Sequence, residues 1–316
     1  MPLRKRPRSS RATRAGADVY RRVFGSLPLG LKVWRLEDPD DPGSLRLMAS
    51  NAAAAEATGV PVDQVMGKTM AEAFPQAVPL GIAAALAEVA RTGKMRDMGE
   101  LAYGDARVRE GIFSVFAFPL PDRCVGVAFE NITREKIAEA ARLRRDALAG
   151  LALRILEAAN ESPSSTEAYR RCLSEVCAFT RWPVGHVFRR APGDGTMRSA
   201  GLWCLSDEPR FAGFKHVTES LAFERGVGLP GRVWQNGKPA WIIDVTADAN
   251  FPRGKLLPDI GLKGAFGFPV LVDGDVRAVL EFFTPEARVP DEELLEVMER
   301  VGTYLAAVER REGAST

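Results

Sequence analysis

At 316 residues with 46% hydrophobic side chains, the chain has material for two separate cores. Its 43 basic and 41 acidic residues nearly cancel to +2, which argues against nucleic-acid binding by the folded part. No apolar run approaches a membrane span, and four cysteines without a Cys-x-x-Cys pair argue against a disulfide scaffold or a zinc site, so a cytoplasmic protein with reduced thiols and no metal is expected.

Residues 1–24 open with Arg4, Lys5, Arg6, Arg8, Arg11 and Arg14 among prolines and serines, a composition that predicts a disordered basic tail. Any nucleic-acid or acidic-partner contact is expected there alone. Strands are predicted over 31–36 and 45–49, then a helix capped by Ser50 or Asn51 and running into alanines. A helix over about 80–91 follows, then strands that end in a hairpin over 113–129, turning at Pro121-Asp122-Arg123.

Over residues 25–133 this order resembles a PAS domain. The residues that carry the likeness are Asn51 with its alanine-rich helix, Gly67-Lys68-Thr69, Arg91-Thr92-Gly93-Lys94 and the closing Glu130-Asn131-Ile132-Thr133. Asn131 stands where the family usually has the Asp that ties the last strand to the outgoing helix, and an Asn can still hydrogen-bond backbone.

Residues 134–160 are helical in composition. Read by sevens, Ala141, Leu148 and Ile155 fall on one line and Leu151 on its neighbour, with Arg144 interrupting. Two readings stand: an amphipathic helix packed on its own domain, or a parallel coiled-coil linker in a homodimer.

The second half, residues 161–312, begins with the capping signature Ser164-Ser165-Thr166-Glu167. Strands near 182–190 and 197–204 lead to Gly226-Val-Gly228-Leu-Pro230-Gly231, to Trp241-Ile-Ile-Asp244 and to Asp248-Ala-Asn250-Phe251-Pro252-Arg253. A hairpin about Asp273-Gly274 and a helix over about 291–310 complete it. The glycines fit a dinucleotide fingerprint only superficially, because the buried strand before them and the acid about 20 residues on are missing. The Asp244 to Arg253 run lacks the alternate-position ligands of a hard-cation loop, so turn and cap roles are expected. This half resembles a GAF domain.

The expected fold class is therefore α+β: two sensory modules, PAS-like then GAF-like, each a central antiparallel sheet flanked by helices, joined by a helical linker. The resemblance implies a sensory role without naming a cofactor. No histidine precedes His186 to hold haem in the first module, and no Cys-His pair or Asn-Cys-Arg-Phe run offers a chromophore attachment. No catalytic residues are predicted. A pocket for an unidentified small ligand is placed in the second module, walled by Trp203, Trp241, Phe266 and Phe268. The expected function is non-catalytic sensing, with a conformational signal passed to a histidine kinase or other signalling partner. One alternative is the sensor part of a two-component kinase with catalysis on another chain. Another is a cysteine-dependent reductase using Cys172, Cys177 and Cys204, as in one GAF lineage.

Overall fold

In the computed structural model, which describes residues 10–191, 193, 195–256 and 261–314, the chain separates between Ala141 and Arg142 into two units, each built on one antiparallel sheet.

The first unit starts with α1 (Ser10–Ser26). A disordered tail was expected through residue 24. Instead the alanines and arginines after Ser10, free of proline, hold a helix, and Asn51 Nδ2 donates to Phe24 O at 3.1 Å near its end. Residues 1–9, with Arg4, Lys5, Arg6 and Arg8, lie outside the described residues. Strands β1 (Gly30–Leu36) and β2 (Leu45–Ser50) come next. Helices α2 (Ala52–Thr58), α3 (Val62–Val65), α4 (Met70–Ala73) and α5 (Ile82–Thr92) then lead to β3 (Arg96–Tyr103), β4 (Gly111–Leu120) and β5 (Cys124–Asn131), in the sheet order β2-β1-β5-β4-β3.

Local chemistry sets these boundaries. Asn51 Oδ1 accepts from Ala54 N and from Leu31 N, both at 2.9 Å, so one side chain caps α2 and fixes it to β1. Thr69 and Glu72 make a reciprocal capping box on α4. The β4–β5 turn holds Asp122 and Arg123 at φ 59° and 58°. Along β1 burial alternates, so Gly30, Lys32, Trp34 and Leu36 all face the core. Beyond β5, Asn131 Oδ1 accepts from Thr133 N and Oγ1, and its Nδ2 donates to Ala57 O at 3.1 Å. One amide thus links α2, β5 and the next helix, the tie expected of this position.

Helix α6 (Thr133–Glu161) runs from the first unit into the second. Leu148, Leu151 and Ile155, the expected intersubunit seam, are buried in the second unit's own core beside Tyr169, Leu173 and Leu305. Sequence periodicity marks a stripe that must be covered, and the chain itself covers it. Ala141 is only half-buried, and the large apolar side chains α6 leaves exposed are Ile137, Leu143 and Leu153.

The second unit adds α7 (Ser165–Thr180), β6 (Val184–Arg190), β7 (Met197–Leu205), α8 (Glu208–Ser220), β8 (Ala222–Phe223), α9 (Gly228–Asn236), β9 (Ala240–Ile242), α10 (Pro252–Leu256), β10 (Gly264–Val272), β11 (Asp275–Thr284) and α11 (Glu292–Ala314). Its sheet order is β8-β7-β6-β11-β10-β9. Strand β10 is apolar almost throughout because both faces are covered. One face packs with α7, α11 and the second half of α6, the other with α8 and α9. The α11 backbone approaches β10 closely at Gly302, where a Cβ would lie 2.3 Å from Pro269 O.

Candidate functional site

The first unit has a cavity of about 100 Å³, open on one side, between the sheet and the helices. Its walls include Trp34, Met70, Phe74, Ile82, Leu86, Phe113, Val127 and Phe129. Into this apolar lining β1 delivers Lys32, only 6% exposed. Its Nζ lies 3.8 Å from the Phe74 ring centroid and 5.2 Å from that of Phe129, and among the described residues it has no hydrogen bond or ion pair. Burial lowers the Lys32 pKa from 10.5 to about 7, against a partial opposing pull from Asp105.

Three other side chains bring polar atoms to the lining, Trp34, Thr58 and Tyr103, and the two hydroxyls are engaged. Tyr103 Oη donates to Asp105 Oδ2 at 2.5 Å, and burial together with that carboxylate pushes the phenol up. Thr58 Oγ1 donates to Ala54 O at 2.8 Å and accepts from Val60 N at 3.4 Å. Tyr103 also lines an open cleft of about 500 Å³ with Gln76, Leu80 and Arg109, so its ring stands between solvent and the interior.

The second unit has a polar centre of another kind. Arg253, fully buried on α10, places Nη1 2.6 Å from Glu281 Oε1 and Nη2 2.8 Å from Oε2. Five phenylalanine rings, Phe188, Phe214, Phe223, Phe251 and Phe283, have centroids 4.9–5.9 Å from the guanidinium carbon. His186 completes the group, with Nδ1 3.2 Å from Glu281 Oε1 and Nε2 2.8 Å from Ser199 Oγ. With Glu281 ionised, Nδ1 carries the proton and Nε2 accepts from the serine. Burial raises the Glu281 pKa, but the Arg253 charge and hydrogen bonds outweigh it and hold the carboxyl below its ordinary value. Burial also keeps the imidazole below its ordinary value. The charges are internally neutralised, although Arg253 Nε is buried without a hydrogen-bond partner.

Nearby, Gly231 sits where a Cβ would lie 2.2 Å from Glu224 O, so the loop entering α9 requires glycine. Asn250 clasps that loop, its Oδ1 accepting from Gly228 N at 2.9 Å and its Nδ2 donating to Gly226 O at 2.8 Å. Asp248 accepts from Arg232 Nη2 at 2.6 Å.

Residues 41–137 match the PAS fold, and residues 162–308 match the GAF domain. The chain joins a PAS domain to a GAF domain. Domains of both kinds are sensory and regulatory modules. No curated protein matches the chain. Among solved structures it is similar to the GAF domain of a phosphoenolpyruvate-protein phosphotransferase from Coxiella burnetii, at 18% identity and TM-score 0.45, covering 54% of this chain and 97% of that one. It is also similar to a free methionine-R-sulfoxide reductase from Neisseria meningitidis, at 11% identity and TM-score 0.46, covering 55% and 94%. A third similar structure is the chromophore-binding domain of a Stigmatella aurantiaca bacteriophytochrome, at 13% identity and TM-score 0.42, covering 91% and 96%.

The pocket expected in the GAF domain does not assemble. Trp203 packs on the face of the GAF sheet that holds Arg253, whereas Phe266 and Phe268 are fully buried on the opposite face and Trp241 packs with them. Trp203 stacks on His186 at 4.0 Å and donates Nε1–H to Glu219. Trp241 instead borders an open cleft of about 580 Å³ with Trp182, Arg144 and Arg288. Cys177 and Cys204 do meet, with hydrogen-bonded thiols, while Cys172 is fully buried. Lys32 went unnoticed in the sequence, although the β1 alternation places it beside Trp34 and Leu36 on the inner face. Glu281 was equally readable as a charge within an apolar strand.

Proposed function

We propose that this chain is a non-catalytic sensory protein of the cytoplasm whose PAS cavity receives a small ligand and whose conformational response passes to a partner protein. The observation that carries the reading is the cavity itself: an apolar pocket holding one unpaired amine, against a GAF interior whose buried charges, Arg253 and Glu281, pair with each other. Supporting the lack of catalysis, His186 is fully buried and hydrogen-bonded through both nitrogens, out of reach of a phosphoryl donor. The buried polar residues of the GAF domain serve to hold its fold.

The Asn131 tie supports the route of the signal. A ligand that shifts β5 or α2 loads the first turn of α6 directly, and couplings of about 1 to 3 kcal/mol suffice for regulation. A histidine kinase or another signalling protein on a separate chain is the partner class, and a homodimer would be formed by surfaces other than Leu148, Leu151 and Ile155. A thermal-shift screen of small organic ligands tests the proposal, run on the native chain and on Ala77→Leu, which narrows the cavity because Ala77 is one of its lining residues. Hits lost in Ala77→Leu support it. Hits that persist in Ala77→Leu but vanish with Trp241→Phe would move the sensing site to the GAF domain.

A further inference from the structure

Lys32 is a cation that the fold has buried and left without an anion. Among the described residues its ammonium has no hydrogen bond or ion pair, and it lies over the faces of Phe74 and Phe129. A buried ammonium is costly unless an opposite charge joins it; among the described residues none is in contact, and Asp105, which hydrogen-bonds Tyr103, acts on Lys32 only through a partial opposing pull. The hydroxyls of Tyr103 and Thr58 are both engaged, so among the lining side chains Lys32 is the cation free to pair with an anion. Apart from the Trp34 indole N–H and the Met70 sulfur, the remaining lining side chains are hydrocarbon or aromatic ring.

We propose that the PAS cavity binds a small monocarboxylate with an apolar body, its carboxylate seated on Lys32 Nζ and its body against Leu86, Phe113 and Val127. This rests on the cavity being the ligand compartment. A single anchoring charge selects one anionic group and leaves no second partner for a dianion, whose extra charge would be stranded among apolar side chains. A cation is repelled, and a neutral ligand leaves the ammonium unpaired. Size narrows the class further. A dry cavity of about 150 Å³ accommodates benzene, so about 100 Å³ suits a body of roughly four to six heavy atoms, the size of butanoate. The Tyr103 ring, shared with the outer cleft, marks the way in.

The test uses the full chain and its Lys32→Met variant, titrated with butanoate and with its neutral isostere butanamide at about pH 6, where Lys32 is charged. Binding is followed by calorimetry and by methyl NMR shifts of the cavity residues. The native chain should prefer butanoate by about tenfold or more, and Lys32→Met should lose that preference while still binding butanamide. Equal affinity of the native chain for both ligands would overturn the carboxylate assignment and leave the cavity as the binding compartment. Shifts at no cavity residue with either ligand, or shifts confined to the GAF domain, would overturn the compartment itself.

Discussion

Replacing Lys32 by Met should stabilise the PAS domain, by about 3 to 4 kcal/mol at pH 6. The fall of the lysine from 10.5 to about 7 corresponds to roughly 5 kcal/mol at about 1.4 kcal/mol per pH unit. The faces of Phe74 and Phe129 return about 1 to 2 kcal/mol of that as cation–π attraction. Methionine keeps the length of the side chain and removes the charge. The sign follows from linkage: below pH 7 the lysine is protonated folded and unfolded, so the full penalty is present. As pH rises from 7 toward 10.5 the folded lysine sheds its proton first, and native stability climbs to meet that of the variant. The facing titratable groups, Tyr103 and Asp105, do not change charge between pH 6 and 9, since the phenol is pushed up and the carboxyl is held down by its hydrogen bonds to Tyr103, Val108 and Arg107. Urea unfolding, resolved for the PAS domain by hydrogen exchange at β1 and β5 amides, reads the difference. A Lys32→Met chain no more stable than the native one at pH 6, or a gain that does not shrink toward pH 10, would refute the reasoning.

Arg253→Met strands a fully buried Glu281 carboxylate and should cost the GAF domain about 3 to 5 kcal/mol, with Arg253→Met and Glu281→Leu together recovering most of it in thermal unfolding; an equal loss in the double variant would contradict the ion-pair account. The GAF domain should also weaken in acid. His186 and Glu281 are both held below their ordinary values, so their contribution is complete above about pH 6.5 and falls as pH drops, first through the histidine and then through the carboxyl; a melting temperature that is level from pH 7 to 4 would count against it. Leu151→Asp should unfold the GAF domain, at a cost above about 4 kcal/mol, because Leu151 is fully buried in that domain's core. A folded variant that merely loses a dimer, by circular dichroism and light scattering, would restore the coiled-coil reading.

Signals carried by neighbouring residues were readable in the sequence. Asn51 as a cap, the Asp273-Gly274 turn with φ 52° and 85°, and the helix after Ser164 each depend on a few adjacent residues, and each formed as expected. The β1 alternation likewise contained Lys32 in its inward set. Faces of the second sheet were not readable. Whether Trp203 and Trp241 share a wall depends on the order β7-β6-β11-β10-β9 and on the register break between His186 and Phe188, neither of which local spacing encodes. The pairing of Glu281 with Arg253 was hidden for the same reason: the two lie 28 residues apart in sequence and meet only through the fold. Periodicity along α6 identified the buried stripe correctly and could not say what would bury it.

The central claim, that sensing resides in the PAS cavity, is tested most directly by methyl NMR of the intact chain during titration with butanoate. Shifts should concentrate on Leu86, Leu101, Val115 and Val127, which line the cavity, and should depend on Lys32. Shifts gathered instead on Val289 and Leu294, beside the Trp182 and Trp241 cleft of the GAF domain, would contradict it.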